Sequence, residues 1–182
     1  MPVRIAQEPA WMTPLLEASL PDLGVSESSE FRHLPPIPVV SVSLEALANG
    51  VLEADERTRS VWRYVVELNG DALLVDIDEE DQSTPSSILR GQVADYTIES
   101  LEAAEEFISS VGGDFHVEII EVPEIHTIAV SLPNAREHWL FPILISGQPQ
   151  PPQRRRLIDF VAGLSAIANL HLAGDLSTES KL

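Results

Sequence analysis

The dipeptide Asn69-Gly70, set between two apolar runs that alternate in phase, constrains the fold of this chain more than any other feature. A two-residue type I′ turn needs positive φ at both central positions, which Asn and Gly adopt at little cost, and its twist matches that of the strands it joins. The spacing therefore predicts a hairpin over 61–78. In it Trp62, Tyr64, Val66 and Leu68 lie across from Ile77, Val75, Leu73 and Asp71, and Arg63 lies across from Asp76 on the other face. One face is apolar and the other carries an ion pair. The expectation is a half-buried sheet with Arg63 and Asp76 in water, where such a pair contributes about 0.5 kcal/mol.

On either side of the hairpin the apolar period becomes helical. Ser43 can cap a helix carrying Leu44, Leu47, Ala48, Val51 and Leu52. Thr97 can cap a longer one to Val111, with Ile98, Leu101, Ala104, Phe107, Ile108 and Val111 on one stripe and Gly112-Gly113 ending it. A second hairpin with Pro123-Glu124 at its tip pairs Glu121 with His126 and His116 with Ser131. It turns Val117, Ile119, Ile128 and Val130 inward and His116, Glu118, Thr127 and Ser131 outward. Residues 139–145 are apolar on both faces, as in a strand covered on both sides, yet Pro142 removes a ladder donor and points to an edge or a bulge. After a Pro/Gln-rich linker at 148–153, the segment 154–172 reads as a helix that is apolar around most of its circumference and so needs cover on more than one side. Its Ala162, Gly163, Ala166 and Ala168 allow close approach of a neighbour.

Seven of the fourteen prolines fall within the first 38 residues, where no apolar period is sustained. This reads as a Pro-rich N-terminal arm over 1–38 with a short helix at 13–19, followed by one domain over 39–173 and a polar tail over 174–182. The expected class is α+β: a mainly antiparallel sheet of two hairpins plus a further strand, packed by about three helices. A chain of 182 residues is long enough for one such domain with a true core.

Charge and residue usage remove more functions than any motif supplies. The only lysine is Lys181 and there is no cysteine, so a Schiff-base or P-loop lysine, a thiolate nucleophile and a thiolate metal cage are all excluded from the domain. Twenty-nine acids against eleven bases give a formal net charge of −18, which repels nucleic-acid phosphate and anionic lipid. No apolar run reaches the length of a membrane span, and no basic-then-apolar stretch opens the chain. The expected location is cytoplasmic; Ser180-Lys181-Leu182 matches a peroxisomal address, which applies only in a eukaryote.

The candidate sites are few. Arg154, Arg155 and Arg156 would place three cations at a helix N-terminus, against the macrodipole, in an otherwise acidic chain. Attraction to the surrounding acidic surface accounts for them, and so does docking of an acidic or phosphate-bearing partner segment. Leu164 marks the middle of the apolar helix. Weaker alternatives are the carboxylates Asp76, Asp78, Glu80 and Asp81 as a hard-cation site, and Glu121 with His126 as a base and its orienter beside the second turn. No H-E-x-x-H, G-x-S-x-G or phosphate-cradling glycine pattern occurs, and no cofactor is expected. The leading expectation is a non-catalytic protein-binding module, homodimeric through 157–172. The alternatives are an acidic neutraliser of a basic partner, such as an immunity protein or nucleic-acid mimic, and a metal-dependent enzyme using the carboxylates at 76–81.

Overall fold

A computed structural model describes residues 8–21, 31–50, 57–81 and 84–179, with side chains except at 57–60 and 174–179. In chain order the elements are α1 (Met12–Ser19), β1 (Phe31–His33), β2 (Ile37–Val42), α2 (Leu44–Ala48), β3 (Arg57–Leu68), β4 (Asp71–Asp78), β5 (Ser87–Arg90) and α3 (Gln92–Val111). They continue with β6 (Glu118–Val122), β7 (Thr127–Pro133), β8 (His138–Ile145), β9 (Gln148–Pro149), β10 (Arg155–Arg156) and α4 (Leu157–Glu179). The fold is α+β: a curled, mostly antiparallel sheet in the order β10-β8-β7-β6-β2-β3-β4-β5, with β1 beside β3 and β9 beside β8. The exception is the parallel ladder between β2 and β6, which joins two antiparallel halves. No helix among the described residues is long and apolar enough to cross a membrane.

The first hairpin has the expected register, with Trp62 opposite Ile77, Tyr64 opposite Val75 and Arg63 opposite Asp76. Asn69 and Gly70 take φ of 53° and 87°, as the turn requires. Helix α1, from the segment read as an arm, covers the aromatic face by seating Met12 and Leu16 on Trp62, Tyr64 and Val75. Tyr64 Oη donates to Glu8 Oε2 at 2.7 Å and lies 3.2 Å from Thr13 Oγ1, which ties the start of this segment to the sheet.

The other face is not in water. Helix α3 lies over it, packing Ala94, Ala104, Phe107 and Ile108 on alternate residues of the sheet such as Val65, Leu74, Val39, Ile119 and Phe141. Arg63 is only 2% exposed and Asp76 is buried with it, which corrects the expectation of a solvated ion pair. A period-two pattern identifies the two faces of a strand but not which of them is dry, and this sheet is covered on both. α3 also starts earlier than expected, at Gln92 after Gly91. Thr97 is therefore not its cap but an interior residue whose hydroxyl donates to Val93 O at 2.7 Å. The helix ends at Val111 and Gly112 as its sequence indicates.

The second half has the same double cover. α2 and α4 bury Val42, Ile120, Val122, Ala129 and Leu140 on the face opposite α3. Ser43 caps α2 by accepting from Ala46 N at 3.2 Å; Val51 and Leu52, expected to continue that helix, lie outside the described residues. A 3₁₀ turn over Pro123–Ile125 and a left-handed His126 lengthen the second turn, so Glu121 pairs with Ile128 and not with His126. The faces keep their parity, but Glu118, Thr127 and Ser131, expected outside, are buried. Pro142 sits between the two short ladders that β10 and β9 make on the outer edge of β8, where its missing donor is tolerated.

Two outcomes follow from this packing. Arg63→Met leaves the Asp76 carboxylate buried without its cation and should cost on the order of 3–5 kcal/mol in denaturant unfolding, with Arg63→Met/Asp76→Asn recovering part of the loss. Burial pushes the Tyr64 phenol well above its ordinary value; the Thr13 hydroxyl opposes this and the Glu8 carboxylate adds to it. The folded chain then keeps a proton that the unfolded chain releases. Its stabilising contribution should be complete below about pH 10 and decline as pH rises beyond it, and urea titrations should show that decline removed in Tyr64→Phe.

Candidate functional site

Two of the candidate carboxylates, Asp76 and Glu121, are engaged by the fold itself. Arg63 Nε and Nη2 donate to Asp76 Oδ1 and Oδ2 at 2.7 and 2.8 Å, a bidentate clasp, and Ser87 Oγ donates to Asp76 Oδ2 at 2.8 Å. Arg63 Nη1 lies 2.7 Å from Glu121 Oε1 as an ion pair, though without an N–H aligned for a hydrogen bond. Burial alone disfavours the guanidinium charge. The hydrogen bonds and charge of Asp76, joined by Glu121, outweigh it and hold Arg63 above the ordinary arginine range. Two of the carboxylates considered for metal or acid-base chemistry are thus committed to one cation.

The others disperse. Glu79 accepts from Trp62 Nε1 at 2.6 Å, Asp78 Oδ1 accepts from Glu80 N at 2.7 Å, and Glu80 and Asp81 are exposed. His126 is exposed at φ 46°, two positions from the residue that faces Glu121 across the ladder. Among the described residues no three His, Asp or Glu side chains come together closely enough to hold a metal ion.

A constellation that the sequence reading missed lies on β6, β7 and β8. Ser131 Oγ donates to Glu118 Oε1 at 3.0 Å and lies 2.6 Å from His138 Nε2. A hydroxyl has one proton, so with that proton on Glu118 the imidazole must be the donor to Ser131, which places a hydrogen on Nε2. The composition is that of a nucleophile triad, but the order is different, because serine and not histidine occupies the middle. Ser131 is 0% exposed and its proton is held by a carboxylate, so the chain is a structural brace. The signal available in the sequence was the register of Glu118 against Ser131, once both faces are known to be dry. Ser131→Ala should cost about 1–3 kcal/mol in chemical unfolding, because the buried Glu118 loses a donor.

His138 also opens onto the corner where the three arginines lie. β10 pairs Arg155 with Leu140 and Arg156 with Trp139, so α4 begins only at Leu157. The arginines therefore precede the helix as a short strand and do not oppose its dipole from within, a correction to the helix start expected at 154. Arg154 lies 4.6 Å from the Phe107 ring centroid and 5.0 Å from that of Trp139, and Arg156 lies 5.4 Å from Trp139. Trp139 is fixed by its indole N–H, which donates to Glu137 Oε2 at 2.8 Å. Asn134 Oδ1 orders the preceding loop by accepting from Arg136 N and Glu137 N, both at 2.7 Å. A cavity of about 330 Å³ opens here, lined by Arg136, Glu137, His138, Trp139, Arg156, Leu157 and Ile158.

Leu164 is not at a surface. It is 2% exposed and packs with Phe160, Val161 and Ala168 against α2 and the sheet. Ser165 Oγ lies 2.7 Å from Leu47 O and 2.8 Å from its own Val161 O, holding α4 to the end of α2. The outward face of α4 carries Ile158, Ala162, Gly163, Ala166 and Leu170 instead. Compared with known proteins, the chain matches no family model, no curated protein and no solved structure.

Proposed function

We propose that this protein is a non-catalytic protein-binding module that works as a homodimer, paired through the outer face of α4. The observation that carries this reading is the pattern on that face. Ile158, Ala162, Ala166 and Leu170 form one i+4 ridge, large at both ends and small in the middle, and both end residues are 74% exposed. The ridge is palindromic about position 164. A two-fold axis there sets Ile158 of one copy against Leu170 of the other and the alanines against each other, which is the self-complementarity an isologous interface needs.

Gly163 supports the same reading. A Cβ at this position would meet nothing within 4 Å, so packing within the chain gives no reason for glycine in the middle of a long helix. Glycine there costs about 0.5–1 kcal/mol relative to alanine, and close approach of a second helix gives it a use. The ridge also bears no charge, although the chain carries −18 overall, so two copies can meet along it without bringing acids together. The non-catalytic part of the reading is supported by the engagement of Asp76 and Glu121 with Arg63, and of Ser131 with Glu118 and His138.

Sedimentation tests the pairing. The wild type should be dimeric at tens of micromolar, on the order of a laboratory sample and above the Kd of a specific interface. Ile158→Glu and Gly163→Leu should each give a folded monomer, and the second should keep or raise the stability of the chain. Leu164→Glu should unfold it. A wild-type monomer, or dimers unaffected by Gly163→Leu, would discard the interface.

A further inference from the structure

The cavity at the start of β8 and α4 has a charge that the rest of the molecule lacks. Residues 134–139 and 154–159 bring four arginines to this corner against the two carboxylates of Glu137 and Asp159, in a chain whose acids otherwise outnumber its bases by more than two to one. Among the described residues, Arg136, Arg154, Arg155 and Arg156 have no carboxylate at ion-pair distance, whereas Arg63 holds two. An acidic surface offers partners in abundance, so guanidiniums without an ion pair at this corner need an account; Arg136 and Arg156 line the cavity and Arg154 lies over its Trp139. Screening reduces the influence of charges more than about 8 Å away at physiological salt, so the field inside the cavity is set by these neighbours and not by the net charge.

The cations are also held in place. Stacking on Trp139 and Phe107 limits how Arg154 and Arg156 can turn, and among the described residues the N–H edges of both guanidiniums meet no acceptor. Arg136 reaches the cavity from a loop fixed by Asn134, and His138 from a ring whose Nε2 is engaged with Ser131. The remaining wall is made by the apolar Trp139, Leu157 and Ile158 and by Glu137, whose carboxylate accepts from the Trp139 indole N–H. We infer that this corner is a binding site for a phosphomonoester attached to an apolar or aromatic body. More than one guanidinium favours a dianion over a single carboxylate, and about 330 Å³ suits one such group with the ring or chain that bears it. A polyanion such as nucleic acid would meet the acidic remainder of the surface, so the group is either on a small molecule or on one modified side chain of a partner protein. Ile158 belongs both to this wall and to the end of the α4 ridge, whereas Arg136 and Arg156 lie outside that ridge.

Titration of the full chain with phenyl phosphate, followed by the NMR shift of the Trp139 indole N–H, reads the site directly. Saturable binding is expected with a Kd on the order of 1 mM or below, about tenfold tighter than inorganic phosphate because the phenyl ring adds the apolar contact. Arg136→Gln/Arg156→Gln should weaken it about tenfold or more, whereas Arg32→Gln, which removes one positive charge from β1, should change it less than about twofold. A phosphotyrosine hexapeptide binding more tightly than phenyl phosphate assigns the group to a modified partner, and equal affinity assigns it to a free phosphomonoester; both retain the site. No saturable shift with either ligand, or an equal loss in Arg32→Gln, overturns it and leaves the corner as a solvated charge patch. The double variant should sediment as the wild type does, which separates this outcome from any result on the α4 interface.

Discussion

The buried clasp of Arg63 with Asp76 and Glu121 is the interaction on which the arrangement of the sheet depends. Asp76 comes from the neighbouring strand β4, but Glu121 comes from β6, which is separated from β3 by β2. The guanidinium thus reaches across a strand and joins the two halves at the one place where they meet, a parallel ladder in which only Val39, Val40 and Ser41 pair with Ile119, Ile120 and Glu121. So short a ladder has little register preference of its own. Sliding β6 by one residue would turn Glu121 towards α2 and α4 and leave Arg63 with a single carboxylate in a dry layer, and the cost of an unpaired buried charge makes such slips unfavourable. Hydrophobic residues of similar volume could give equal stability without that discrimination. The charges supply register, and the positions of α3 on one face and α2 and α4 on the other follow from it.

Much of the local structure was legible in the sequence because local chemistry decides it. Asn69-Gly70 fixed every pair of the first hairpin, Ser43 capped α2, and Gly112 ended α3. What was not legible was the number of layers. Arg63 and Asp76, and Glu118 and Ser131, alternate with apolar residues as solvent-facing positions do, and periodicity cannot tell a polar residue in water from one paired in a core. A subtler cue was present: Val61 and Val65 flank Arg63 on the same face, so a cation placed opposite an acid has an apolar neighbour on either side. The second hairpin slipped by two because Pro123 starts a 3₁₀ turn and His126 takes a left-handed conformation, neither of which the alternation of the strands encodes. The candidate sites were less readable still. The three arginines were recognised as unusual, but their aromatic partners Phe107 and Trp139 are distant in sequence and reach them only through the packing of α3 on β8.

Charge is partitioned over this molecule by what each region touches. The acids buried on the sheet, Asp76 and Glu118, are neutralised by Arg63 or braced by Ser131, the outward ridge of α4 is uncharged, and arginines without an ion pair among the described residues collect where β10 hands over to α4. An acidic surface keeps copies of a protein apart at most orientations. Between copies, the orientations it leaves open are those that bring the neutral or the basic region against the other molecule, so the net charge of −18 restricts self-association to a few faces.

Helix α4 shows how that restriction is written into side-chain size. Its inward side presents Phe160, Val161 and Leu164, with Ala168 where α2 comes close, which is the gradation of a helix packed against a sheet and a second helix. A helix facing only water on its other side gains nothing from Ile158 and Leu170 and loses some stability from Gly163, whereas charged residues in their place would be soluble and favourable to the helix. A helix wholly internal to the chain would instead have its outer positions filled by large residues in contact with neighbours. The sequence of α4 fits neither case: its outer ridge is apolar, small at the centre and large at the ends, and open within this chain. Under the proposed pairing a second helix completes this ridge, and because the ridge reads the same in both directions, a copy of itself has the matching sequence of sizes.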